Sequence, residues 1–213
     1  VPMGNCSSDK PKALLQPLAP LPAAADPAQR AFPHYCEFDF GECRTDLLPL
    51  LYEISRIANE SGSLANILRI LLELMRRHMR VVRAMVSLYD TQSGRITIHE
   101  SVGLSEEEAS RGVYWLGEGI TGRVVETGEP LVAPRIAEEP AFLNRTQSLR
   151  DARDGRLSFI CVPIKRGRKV MGTIAAERRY DSRDLLKLDV EVLSILAATT
   201  AQAVELYLVE NVE

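Results

Sequence analysis

Histidine and tryptophan are scarce in this chain, and its cysteines form no regular framework: three His, one Trp and four Cys stand among 213 residues. His34, His78 and His99 lie far apart, and no HExxH-type spacing joins them, so a catalytic metal site of that kind is not expected. There is no GxxxxGK[ST] phosphate loop and no recognisable helix-turn-helix, so neither P-loop ATP hydrolysis nor DNA reading is expected within these residues. The formal charge is only −3, which gives no reason to expect nucleic acid as a direct partner. No apolar run is read as approaching the roughly 18 residues that a membrane span requires. The first residues lack the basic start and apolar stretch of a secretory signal. A reducing, cytoplasmic location is therefore expected, in which a stable disulfide does not form.

What is present begins with a Pro/Ala-rich stretch, "KPKALLQPLAPLPAAADPAQRAFP". Its prolines remove backbone donors and bias their neighbours to extended conformations, so residues 1–34 are expected to be a disordered tail. A short cysteine-containing loop, 35–45, carries Cys36 and Cys43. From residue 46 the pattern becomes helical. Leu47, Leu50, Leu51, Ile54 and Ile57 predict a first helix over about 46–60, capped by Thr45 or Asp46. Ser63 caps a second over 64–80, whose apolar stripe is Leu64, Ile67, Leu68, Leu71, Leu72 and Met75. Its basic end, Arg76 to Arg83, reads as cations gathered where the helix dipole favours them.

The period then changes to that of strands. "RAMVSLYD" and "RITIHESVG" predict a hairpin turning at Gly94, and "LSFICVPIK" and "KVMGTIAAERR" another turning at Gly167. Between them lie a charged turn, a short strand, a glycine-rich corner, a short helix over Gly122 to Glu126, another strand and a long polar connection. Connections of that length are usually functional or mobile. Ser182 opens a last helix that no proline or glycine interrupts. The order predicts an α+β fold, a largely antiparallel sheet covered by helices. The last helix is apolar on two faces. One holds Leu185, Leu188, Val192, Leu196, Thr199 and Ala203; the other holds Leu186, Val190, Leu193, Ala197, Ala201, Val204 and Leu208. So wide an apolar arc must bury more than one side. Either the sheet and the first helix enclose it within one chain, or a second copy covers it in a homodimer.

"WLGEGITGRVVETGEPLVAPRI", "FICVPIKRGRKVMGTIAAERR" and the final helix together resemble the GAF domain over about residues 46–210. In that resemblance Gly117 and Gly119 turn the chain from strand into helix. Gly122 lets the helix approach the sheet, and Gly172 makes space against a neighbouring helix. "YCEFDFGECRTDLLPLLYEISRIANES" and "LLKLDVEVLSILAATTAQAVELYLVEN" resemble the amino-terminal sensor of NifA-type nitrogen-fixation activators, in the branch that controls the alternative nitrogenases. The resemblance implies a GAF sensor domain at 46–213 that is not an enzyme. It also implies an attached AAA+ ATPase, elsewhere in the full-length protein, that remodels sigma-54 polymerase.

In that branch a Cys-x-Cys-x4-Cys cluster is linked to iron-sulfur or redox sensing. Cys36 and Cys43 match its outer pair, and Phe38 stands in the middle position. Three readings stay open: metal ligation, with an iron-sulfur cluster completed across a dimer; a thiol redox switch; or two free thiols. Cys161, which alternates with Ile160 and Val162, reads as a small core residue. The family resemblance also implies a small-ligand pocket between sheet and loop, bounded by Trp115 and residues 117–122, with Arg135, Asn144 and Arg145 in the lid. The competing reading has Trp115 filling a core and the loop charges solvated. Two alternatives to a sensor remain: a purely dimerising module, and a methionine sulfoxide reductase using Cys161.

Overall fold

The computed structural model describes residues 63–149, 156–179 and 182–210, together with Tyr52, Glu53 and Arg56. The expected tail 1–34, the loop 35–45 with Cys36 and Cys43, and most of the expected first helix lie outside the described residues.

Helix α1 (Leu64–Met79) starts where the Ser63 hydroxyl accepts a hydrogen bond from Asn66 N at 3.3 Å, which satisfies one of the orphan donors of the first turn. Its apolar stripe is buried as its spacing predicted, with Leu68, Leu72 and Met75 fully covered. Six strands follow: β1 (Arg83–Asp90), β2 (Arg95–Val102), β3 (Val113–Trp115), β4 (Leu131–Ala133), β5 (Leu157–Arg166) and β6 (Lys169–Arg179). They form one sheet in the order β3-β2-β1-β6-β5-β4, and every neighbouring pair is antiparallel. The short helices α2 (Glu106–Ser110) and α3 (Gly119–Thr127) and a 3-10 turn (Ile136–Glu138) sit between strands, and α4 (Arg183–Glu210) closes the fold. Both predicted hairpins are present. Helix α3 starts at Gly119 rather than Gly122, because its first turn buries Ile120 and Thr121.

Strand alternation divides the side chains between two layers. Ala84, Val86 and Leu88 of β1, Ile160, Val162 and Ile164 of β5, and Ile174 and Ala176 of β6 join α1 and α4 in the larger core. Met85, Phe159, Cys161 and Ala175 point to the other side, where Ile120 and Val124 of α3 and Ile136 cover them. Each large aliphatic side chain sealed this way contributes about 2 kcal/mol of hydrophobic stabilisation.

Two expectations are corrected. A Cβ on Gly172 would come within 2.1 Å of the Ser87 carbonyl oxygen, so this glycine admits the backbone of β1 and not a helix. Second, Leu185–Glu210, with a mean hydropathy of 1.6, is by length and composition a stretch able to cross a membrane. A window average hides direction. Leu193, Leu196, Ala197, Ala201 and Val204 are buried in the core shared with β5 and β6, which is where the core helix of a sheet protein lies.

Candidate functional site

The glycine-rich corner is built from backbone contacts that tolerate no side chain. Gly117 has φ +75 and donates to Gly122 O at 3.0 Å, while Glu118 N donates to Trp115 O at 3.0 Å. Glu118 folds back so that its Oε2 accepts from Trp115 N at 3.1 Å. Its other carboxylate oxygen pairs with Arg145, which ties the long connection to the corner.

Of the four residues expected at the pocket, Trp115 and Arg145 meet on the Glu118 carboxylate, the first through its backbone N–H, while Asn144 and Arg135 are held within their own segments. Arg145 meets the corner through Glu118. Asn144 braces its own loop, its Oδ1 accepting from Leu149 N at 3.5 Å. Arg135 pairs with Glu138 at 2.8 Å on the surface. Trp115 lies on the short edge strand opposite Arg95 and is 51% exposed, so the chain's single tryptophan does not fill a core. Its neighbour Tyr114 takes the buried position in its place, and burial raises the phenol's pKa well above the ordinary range.

Beneath the loop, Ala141, Phe142 and Leu149 pack against the core of Phe159 and Cys161. Phe142 meets Phe159 edge to face, with ring centroids 5.1 Å apart, a favourable aromatic geometry. Cys161 is fully buried beside Thr121 and Thr173, and burial pushes its thiol up to about 12, with the two hydroxyls acting in the opposite sense. A thiol so placed carries almost no thiolate at neutral pH.

Sequence reasoning missed the buried charges at the end of the sheet. Arg83 Nε donates to Glu177 Oε2 at 2.6 Å, and Arg83 Nη1 to Ser148 O at 3.3 Å. Arg111 reaches Thr146 O from Nε at 3.2 Å and Nη2 at 2.9 Å. On the opposite face Arg178 Nη1 donates to Asp189 Oδ2 of α4 at 2.5 Å. The available signal was weak: a charged residue at an inward position of an apolar strand. A groove of about 490 Å³ lies elsewhere, at the end of α3 and the β5–β6 turn, lined in part by Tyr89, Leu116, Glu126, Glu129, Lys165 and Arg168. None of the four expected pocket residues lines it. Among the described residues there is no group of three or more His, Cys, Asp and Glu side chains placed to hold a metal. Cys36 and Cys43 lie outside them. An iron-sulfur cluster takes three or four thiolates, or other ligands in their place, so this pair, with Phe38 between, does not by itself complete one.

Residues 63–204 match the GAF domain family. The chain is 71% identical over 184 residues to "Nitrogen fixation protein VnfA" of Azotobacter vinelandii, covering 86% of this chain and 35% of that protein. It is 51% identical over 173 residues to "Nitrogen fixation protein AnfA" of the same organism (81% and 32%). To a "Nif-specific regulatory protein" of Herbaspirillum seropedicae it is 38% identical over 162 residues (75% and 30%). The chain thus spans about a third of the length of these curated relatives. In structure it resembles the GAF domain of "A. Aeolicus nlh2" in an inactive state, with a TM-score of 0.67 and 21% identity over 76% of this chain and 97% of that one. The match over most of the chain, the curled antiparallel sheet and the glycine corner agree: this chain belongs to the GAF domain family.

Proposed function

We propose that the chain is the signal-receiving domain of a cytoplasmic, sigma-54-dependent nitrogen-fixation transcription activator, working as a homodimer that passes its signal to an attached AAA+ ATPase through α4. The names of the relatives support a regulatory role in nitrogen fixation. The observation that carries the mechanical part is the outer face of α4. The helix has 28 residues, a length of about 42 Å. One side is sealed on the sheet, while Ile195, Leu206 and Val209 are 48%, 57% and 64% exposed. With Thr199 and Gln202 they form the run 195, 199, 202, 206, 209, whose steps alternate between four and three. That is the seam spacing of a paired coiled coil. A second copy laid along this seam buries it and aligns two C-terminal ends toward the next domain.

The signal is a redox or metal change at Cys36 and Cys43, or a small ligand held near Asn144 and Arg145. Each acts only by binding the two states of the dimer differently. Anaerobic absorbance and metal analysis, repeated with both cysteines changed to Ser, separate the two inputs. The reductase alternative is disfavoured by Cys161, which is sealed and holds its proton. In the full-length protein, Ile195→Glu is expected to abolish signal-dependent sigma-54 transcription of a nitrogenase reporter while leaving the domain folded. Unchanged reporter output would overturn the reading.

A further inference from the structure

Glu177 and Arg178 are consecutive residues near the end of β6, and each is at least nine-tenths buried, at 2% and 5% exposure. Strand alternation sends them to opposite faces of the sheet. Glu177 takes the loop side. Its carboxylate binds Arg83, and Arg83 in turn holds the loop through Ser148 O. Ser148 is linked to Thr146 by a hydroxyl pair at 2.9 Å, and Thr146 O is held by Arg111. Arg178 takes the helix side and binds Asp189, which is 1% exposed and lies in the first third of α4. One peptide unit therefore joins an anchor of the loop to an anchor of the signalling helix.

We propose that this dipeptide couples the loop around Thr146–Ser148 to α4, so that a change in the loop's position alters how α4 is seated. The proposal rests on the sensor reading above and names its internal route. Buried ion pairs have discrete arrangements, because a half-made pair leaves a charge with neither water nor partner. The Arg83 side already holds a reserve: its Nη2 is buried and has no hydrogen-bond partner among the described residues. A shift of the Ser148 carbonyl re-pairs this guanidinium, and its grip on Glu177 changes with it. The end of β6 is fixed on this side to the residue that precedes β1, with Val82 N donating to Glu177 O at 2.7 Å. A rotation of the strand end at Glu177 is therefore delivered to Arg178 and to its bond with Asp189 on the helix. Glu177 and Arg178 are positioning residues in this scheme; neither touches a signal.

Hydrogen exchange followed by mass spectrometry on the whole chain tests the route without any ligand. Arg83→Met is expected to speed exchange in the α4 segment around Asp189–Val192 by about tenfold, more than in the distant turn of β1 and β2. The reciprocal variant, Asp189→Asn, is expected to speed exchange at residues 146–149, as linkage requires. Leu68→Ala, a core variant off the route, serves as the control for general loosening and is expected to raise both segments only in proportion to the rest of the domain. Should Arg83→Met fold too poorly to measure, Arg83→Lys with Glu177→Gln gives the same reading at milder cost. If loop-side variants leave α4 exchange unchanged, or change it no more than Leu68→Ala does at matched stability, the route does not exist. Sedimentation of the same samples distinguishes the two failures. A dimer without the cross-effect sinks the route and leaves the sensor reading intact, whereas a monomer with the cross-effect sinks the dimer mechanism and leaves the route.

Discussion

Gly122 lies directly beneath the carbonyl of Trp115: a Cβ on Gly122 would come within 2.1 Å of that oxygen. The obstacle is backbone, not the flexible end of a side chain, so the corner must open for any larger residue to enter. Gly122→Ala is expected to destabilise the domain by about 3 kcal/mol, at the upper end of ordinary overpacking. Urea unfolding measures it. A loss below about 0.5 kcal/mol would show that the corner yields and does not pin α3.

Cys161 supplies a second prediction. It is sealed and its thiol is pushed up to about 12, so alkylation must wait for the domain to open. Mass-mapped labelling at neutral pH is expected to modify Cys161 at least about a thousandfold more slowly in the native chain than in urea, as a stability of 5 kcal/mol or more implies. The same protein should show no reduction of methionine sulfoxide with a thiol donor. Rapid native labelling of Cys161 would reopen the reductase reading.

His99 packs against Tyr207 of α4 with ring centroids 5.0 Å apart. Burial lowers its pKa, partly opposed by the Glu100 carboxylate. The folded state therefore favours the neutral imidazole, and the unfolded chain binds the proton more readily. Between the lowered value and the ordinary 6.5 the unfolded state carries more protons, so stability rises with pH across that interval and flattens above it. The urea midpoint is expected to fall as pH drops from 7 to 5, less steeply in His99→Gln. Equal slopes in the two proteins would remove His99 as the source.

Much of this fold was legible because its signals are local. Ser63 and Ser182, the turns at Gly94 and Gly167, and the alternation through β1, β5 and β6 each need only a few neighbouring residues to be recognised. What was missed is set by contacts far apart in sequence. Gly172 meets Ser87 across the sheet, and no window around Gly172 contains β1. Arg83 and Glu177 are 94 residues apart; each reads alone as a charge at a strand end. Trp115 was expected to fill a core or bound a pocket, and the alternation of a three-residue strand decided instead that Tyr114 faces inward. The two stripes read on α4 did not divide between the sheet and a second copy: Val192 and Leu196 of one and Leu193, Ala197, Ala201 and Val204 of the other lie in the same core, and the exposed Ile195, Leu206 and Val209 point in a third direction that neither stripe marked. The pocket residues were the least legible part. Glu118 joins Arg145 to the backbone of Trp115, and the Arg145 link spans 27 residues that no local window contains, whereas Arg135 pairs with Glu138 only three residues on.

The most direct test of the account is the mass of the 213-residue chain in solution. Sedimentation equilibrium of the wild type is expected to give twice the 23.7 kDa of one chain. Ile195→Glu with Leu206→Glu is expected to give that single mass, with stability kept within about 0.5 kcal/mol because both side chains are surface residues in the isolated fold. A wild type that sediments as one chain at every concentration would contradict the account, as would a double variant that still pairs.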